Sequence, residues 1–508
     1  GQPLPFAGRS DSKSRTNYGR GHFSAVFDPT PKHTAGFDIE YTERSTHMPT
    51  LSRTTLGQTQ SDSRYRQHMD GNTLTATANY IWKIDTLGSQ FKLIADYTRY
   101  TSDGDNSYHT TTCAPGTLRD SLYESATGSV YDILTADAGL TRKLPHGLTL
   151  RAGLRYTRND MADKSRYAAQ TQGTWLALPE YSYDQHYTEQ IGAAYASLEY
   201  SAGRWELSAG LRGEYTSVAS QAFGRSYFGL FPNVSVSRAL NALRTWLLVA
   251  QWSRNIERPA FPALNPARIR ISDYSWQSGN PSLRPTYIHR FSLTAVWKYR
   301  YTLTVGGNLH HDLIREIAHR DATAPDAVYI RPENHYTENH WFVAASVPAK
   351  ITRWWNLSVN AVGVMQRIRL NSTDSPATHY LMFADATCSF TLPAGFFAEA
   401  AYRAQSRLYS GNSEVGPRHT LSATVKKQLF DKRLTLFCTL SNITGCDWEF
   451  ASLTDGMRRT IDTRQAWSGR LWKVGAAWNF RTGKKFRART VESAAETQRK
   501  RLVKSTEQ

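Results

Sequence analysis

Apolar and polar side chains alternate with a period of two along most of this chain. Residues 73–83 set Leu74, Ala76, Ala78, Tyr80 and Trp82 on one face and Thr73, Thr75, Thr77, Asn79 and Lys83 on the other. Residues 148–157 oppose Leu148, Leu150, Ala152, Leu154 and Tyr156 to Thr149, Arg151, Gly153, Arg155 and Thr157. In residues 395–408, Phe396, Ala398, Ala400, Tyr402 and Ala404 oppose Glu399, Arg403, Gln405 and Arg407. Such alternation predicts β-strands with one apolar face. Aromatics gather at the ends of many apolar faces and small aliphatics in the middle, the order of a lipid-facing band between two aromatic girdles. A soluble sandwich would bury its largest residues in mid-strand instead.

The connections alternate in length. Short ones such as 83–88, 143–147, 200–203, 392–395 and 429–432 are interleaved with long ones such as 45–71, 102–127, 159–185, 257–285 and 444–462. Short turns on one rim and long loops on the other mark an outer-membrane barrel. The expected fold is therefore all-β, a transmembrane antiparallel β-barrel of about 19 strands over residues 19–480. Residues 1–18 are expected to be a polar loop and residues 481–508 a basic periplasmic tail. The final strand is expected to end in the periplasm. Short turns are then periplasmic, and residues 254–286 lie outside the cell. The first expected strand (19–28) and the last (470–480) run the same way, so at least one further strand is expected to complete the ring.

Residues 254–286 break the alternation with Pro259, Pro262, Pro266, Pro281, Pro285 and Gly279. Proline lacks an amide donor, so this stretch is a connection of near-fixed shape rather than sheet. Glu257-Arg258-Pro259, Leu264-Asn265-Pro266 and Gly279-Asn280-Pro281-Ser282-Leu283-Arg284-Pro285 resemble a block found in TonB-dependent outer-membrane receptors, particularly the Bacteroidota type. Thr286 stands where many of these have Glu. Residues 434–444 and 470–480 resemble their two closing strands. The resemblance implies a 22-strand barrel, with three strands and a lumen-filling plug before Gly1. It also implies active uptake of a scarce ligand (siderophore, glycan or peptide) through coupling to TonB. A structural barrel within a larger outer-membrane complex, holding a surface lipoprotein, is the alternative.

Composition adds to this reading. Mean hydropathy is −0.52 despite 27 Tyr and 14 Trp, and no apolar run is long enough for a membrane helix. The net charge of +18 is scattered rather than gathered on a recognition helix. Lipopolysaccharide therefore fits as a partner better than nucleic acid does. Four cysteines match no zinc spacing, and a Cys113–Cys446 bridge between outer loops remains open. No catalytic motif is present, and neither an enzymatic activity nor a cofactor or metal is expected. His310-His311 reads as a solvated pair. The candidate ligand-binding residues are Tyr274 and Trp276 in the outer block and the lumenal charges Arg151, Arg155, Arg212, Glu399, Arg403 and Arg407. The proline-rich surroundings favour packing for the two aromatics, and mutual pairing is the simpler reading of the charges. The family-motif residues are Arg258, Pro259, Asn265, Pro266, Gly279, Asn280, Pro281, Leu283 and Pro285.

Overall fold

The computed structural model describes residues 6–221, 223–266, 268–272, 274–321, 327–445, 448–454, 457–463, 469–480 and 491–502. The chain opens with β1 (Phe6–Ser12), β2 (Arg15–Thr30), β3 (His33–Leu56), β4 (Thr59–Lys83), β5 (Gln90–Ala114) and β6 (Thr117–Lys143). There follow β7 (Leu148–Thr171), the short β8 (Thr174–Ala177), β9 (Tyr183–Ala202), β10 (Trp205–Ser220), β11 (Gly224–Ala239) and β12 (Trp246–Glu257). The proline block holds the one-turn helix α1 (Phe261–Leu264), β13 (Ile269–Ser272) and β14 (Ser275–Gln277). The wall resumes with β15 (Thr286–Trp297), β16 (Tyr301–Arg320), β17 (Val328–Lys350), β18 (Trp355–Arg369), β19 (Ala377–Leu392) and β20 (Phe396–Gln405). After the small strands β21 (Leu408–Ser410) and β22 (Ser413–Val415) come β23 (Arg418–Leu429) and β24 (Leu434–Ser441). A hairpin of β25 (Trp448–Thr454) and β26 (Met457–Thr463) precedes the last wall strand, β27 (Leu471–Trp478), and α2 (Glu496–Arg499) lies in the tail.

Among the described residues 19 strands make the wall, each antiparallel to the next, as the alternation predicts. Three expectations need correction. Residues 1–18 are not a loop from Phe6 onward. β1 pairs with the upper half of β3, from Phe6↔Leu56 to Ser12↔Thr50, and β2 continues down the same side from Arg15↔His47. Likewise, several expected long loops are hairpins. β3 and β4 stay paired up to Leu56↔Thr59, and β5 and β6 up to Ala114↔Thr117. Ladder hydrogen bonds use only the backbone, so strands continue above the lipid, where no apolar face is needed to mark them. Between β2 and β27 no ladder exists among the described residues.

The faces follow the alternation. Leu93, Leu154 and Leu211 point outward with 45%, 65% and 50% of their surface exposed, whereas Thr98, Thr135 and Thr216 of the opposite parity are fully buried. An exposed leucine belt around a polar interior suits lipid outside and a filled lumen inside. The filling is partly apolar. Phe261, Leu264 and Leu283 of the proline block pack on Tyr131 and Ile133 of β6, Met161 of β7, Tyr187 of β9 and Val218 of β10. The block thus folds inward over the wall rather than standing outside it.

The tail is the third correction. Its described part, residues 491–502, is not free in the periplasm but lies along the inner wall. Glu492 pairs with Lys92 at 2.5 Å, the Ala494 amide donates to Asp96 at 2.7 Å, and Leu502 reaches the block's apolar cluster. Lumen-facing carboxylates offer the basic end of this segment partners that periplasmic water would otherwise supply.

Candidate functional site

Two backbone bonds hold the proline block in its inward fold. The Gly279 amide donates to the Asn265 carbonyl at 2.9 Å, and the Asn280 amide to the Ala263 carbonyl at 2.7 Å. A Cβ on Gly279 would collide with both carbonyl oxygens, so this close approach requires glycine. The Asn280 side chain donates to the Pro332 carbonyl at 3.0 Å, and Arg225 donates to the Leu283 carbonyl at 2.5 Å. Arg284 pairs with Asp312 at 2.6 Å. The prolines shape the loop, and these bonds fasten it to β11, β16 and β17.

Arg258 sits at the base of this block, nearly buried. It donates to Glu214 at 2.7 Å and to the Thr216 hydroxyl at 2.9 Å, and its Nε lies 3.8 Å from Glu189. Glu189 in turn accepts from Arg501 of the tail at 2.5 Å and from Asn159 at 2.9 Å. Burial pushes the Glu189 carboxyl up, but the Arg501 and Arg258 cations outweigh it and hold the group below its ordinary range. Glu189 lies 13 residues from the short-turn end of β9 at Ala202, beyond the band of about 9–11 residues that a membrane crossing needs. Asp163, also above it, is raised by burial despite accepting hydrogen bonds from Ser129, Tyr131 and Asn265.

Nearer the mouth, an arginine–aromatic surface lines the inner face. Trp276 on β14 stacks parallel to Tyr181 with ring centroids 6.4 Å apart. The Arg268 guanidinium lies 5.1 Å from the Tyr181 ring and 5.2 Å from Trp276, and pairs with Asp321 at 2.9 Å. Arg270 lies 5.3 Å from Trp276, 5.5 Å from Tyr123 and 6.0 Å from Tyr65. Tyr65, Tyr108 and Tyr167 form the buried base of this patch. Tyr274 packs edge-on against Phe6 of β1 at 5.9 Å. Both block aromatics named from sequence are thus half-buried and engaged within the fold, yet Trp276 sits at the centre of the patch.

The lumenal charges are not brought together. Arg151 pairs with Glu199, Arg155 with Asp137 at 2.7 Å, Arg212 with Glu214 at 2.5 Å and Arg407 with Glu414 at 2.7 Å. Glu399 and Arg403 lie on β20, Arg403 in register with Asp385. His310 donates from Nδ1 to the Glu338 carbonyl at 2.7 Å. Cys446 lies outside the described residues, so the bridge to Cys113 does too; Cys113, Cys388 and Cys438 are free thiols. Sequence reasoning missed Arg268, Arg270, Tyr123 and Tyr181 of the patch and Asn159, Glu189 and Arg501 of the buried cluster. The pattern Arg268-x-Arg270 ahead of Trp276 was a usable signal. Nothing in sequence joins Glu189 to Arg501.

A model of the outer membrane protein beta-barrel family matches residues 82–478. This chain belongs to that family. Its place is the Gram-negative outer membrane. Solved structures of the same fold include the ferric-catecholate import receptor Fiu from E. coli K12, in its closed form. It aligns with a TM-score of 0.58 at 9% identity, over 93% of this chain and 81% of that one. The ferric yersiniabactin uptake receptor FyuA from Yersinia pestis aligns with a TM-score of 0.54 at 11% identity, over 94% and 81%. No curated protein matches. The wall thus shares the barrel fold of these two receptors, as the proline block and closing strands suggest.

Proposed function

We propose that this barrel is the wall of an active-uptake receptor, which captures a scarce ligand at its mouth and passes it inward with energy coupled through TonB and a lumenal plug. The observation that carries the reading is the inward-folded proline block, which presents Arg268, Arg270 and Trp276 beside Tyr123 and Tyr181 on the inner face. Flat rings and guanidinium planes suit a ligand that is anionic, aromatic or both, through stacking and charge. A siderophore of that chemistry fits the patch better than a neutral glycan does. Anionic lipopolysaccharide accounts for much of the +18 charge outside the lumen.

The test is accumulation of a labelled ferric catecholate by cells whose uptake depends on this protein. Accumulation that stops when the proton gradient is collapsed, while binding at the surface persists, is the expected result. Trp276→Ala and Arg270→Ala are each expected to weaken binding about 10-fold, in keeping with one lost stacking or charged contact. Energy-independent accumulation would mean a passive pore, and no accumulation or binding of any ligand in a panel would favour a purely structural barrel.

A further inference from the structure

The described tail makes a continuous set of contacts up the inner wall. Glu492 meets Lys92, and the Ala494 amide meets Asp96, which is buried and also accepts from Thr77 at 2.5 Å. Gln498 accepts from Asn159 at 3.3 Å and from Arg501 at 2.8 Å. Arg501, itself buried, donates to Glu189 and, at 3.0 Å, to the Pro259 carbonyl, and its guanidinium lies 4.3 Å over the Phe261 ring. One arginine therefore touches the wall and the proline block together.

Removing a partner from a buried carboxylate is normally costly, because the charge is left bare. Here a second cation waits. Arg258 Nε stands 3.8 Å from Glu189 and is buried with no hydrogen-bond acceptor among the described residues. One Arg501 nitrogen, Nη2, also lacks an acceptor among the described residues. Arg258 is therefore placed to compensate Glu189 when Arg501 leaves.

We propose that the inner wall from Lys92 and Asp96 to Glu189 is a binding groove for a short, partly helical, arginine-bearing peptide. The chain's own residues 491–502 fill it reversibly, and Arg258 takes over Glu189 when they leave. This goes beyond the uptake reading, and its test involves no transported ligand. The tail occupies the groove because tethering gives it an effective concentration on the order of mM.

Hydrogen exchange in the full-length protein tests the groove directly. Residues 491–502 are expected to exchange slowly in the wild type and at least about 10-fold faster in Arg501→Glu, while the barrel strands are unchanged. Arg258→Lys keeps a cation for Glu214 but lacks the second donor. It is expected to make tail release harder and exchange slower than wild type. A labelled synthetic peptide with the sequence of residues 491–502 should bind saturably to the Arg501→Glu protein and not to wild type, where the tail competes. That binding should be lost when Glu189→Gln is added. A wild-type tail that exchanges as fast as in Arg501→Glu overturns the proposal, as does peptide binding indifferent to Glu189. Exchange unchanged by Arg258→Lys overturns the exchange of partners.

Discussion

Gly279 donates its amide to the carbonyl of Asn265 at 2.9 Å, joining the two halves of the proline block across the loop. The contact turns a sequence motif into a fixed inward plug of apolar side chains, with Phe261 and Leu264 on one side of the closure and Leu283 on the other. The same loop places Arg258 against Glu214 and Trp276 against Tyr181.

Gly279→Ala should therefore unseat the block. The added methyl meets two carbonyl oxygens rather than flexible side chains, and overpacking of this kind costs about 1–3 kcal/mol. The expected signs are faster proteolysis within residues 254–286 and a lower unfolding temperature, with the strand ladders intact. A block as protease-resistant as wild type would show that the closure does not hold it.

Lipid-facing parity predicts a sharp asymmetry. An arginine at Ala152, Ala209 or Ala400 should destabilise folding into lipid vesicles by about 2–4 kcal/mol, the cost at the bilayer midplane. Arginine at Ser208 should be mild, since its side chain faces the lumen. Thr77 is a poorer control, because its hydroxyl donates to buried Asp96. Denaturant titration of the four variants reads the difference, and equal tolerance would mean that the faces are reversed.

Orientation has its own test. Epitopes inserted at Gly116 and Gly173 sit in tight turns at the tips of the β5–β6 and β7–β8 hairpins. Antibody should reach both on intact cells. An epitope inserted at Leu87 should be reached only after the outer membrane is opened. The opposite labelling would invert the barrel.

Asp163 predicts a pH dependence. Its folded pKa is raised, chiefly by burial, so its contribution to stability is complete below the ordinary aspartate pKa and is lost as pH rises through the folded value. Docking of the block over Asp163 should weaken with rising pH above the usual carboxylate range. Asp163→Asn should flatten that dependence, as read by hydrogen exchange at residues 261–264. An identical profile in the variant would remove Asp163 as its source.

The two ends of the wall carry a further expectation. β2 and β27 run in the same direction, and each leaves one edge without a ladder among the described residues. An unpaired edge in hydrocarbon costs several kcal/mol for each unsatisfied group. Residues 1–508 alone should therefore not migrate as a heat-resistant barrel in detergent. Heat-resistant migration would show that these two strands find partners within this chain.

Much of the wall was legible because membrane strands must present apolar side chains to lipid at every second residue. Leu93, Leu154 and Leu211 against Thr98, Thr135 and Thr157 carry that requirement in the sequence itself. Residues 6–18 and the tops of β3 to β7 were not legible as strand. Above the lipid the backbone still pairs, but no solvent demands an apolar face. The proline block was readable as rigid, since Pro and Gly restrict the chain locally, but its inward direction was not. That direction depends on Tyr131, Met161, Tyr187 and Val218, which lie on four different strands. The pairing of Arg501 with Glu189 is separated by 312 residues. Sequence determined the 19 wall strands within the lipid and their faces, because these follow from local periodicity and the solvent on each side. Only the tertiary structure decided what fills the lumen, because those contacts join residues that no local pattern relates.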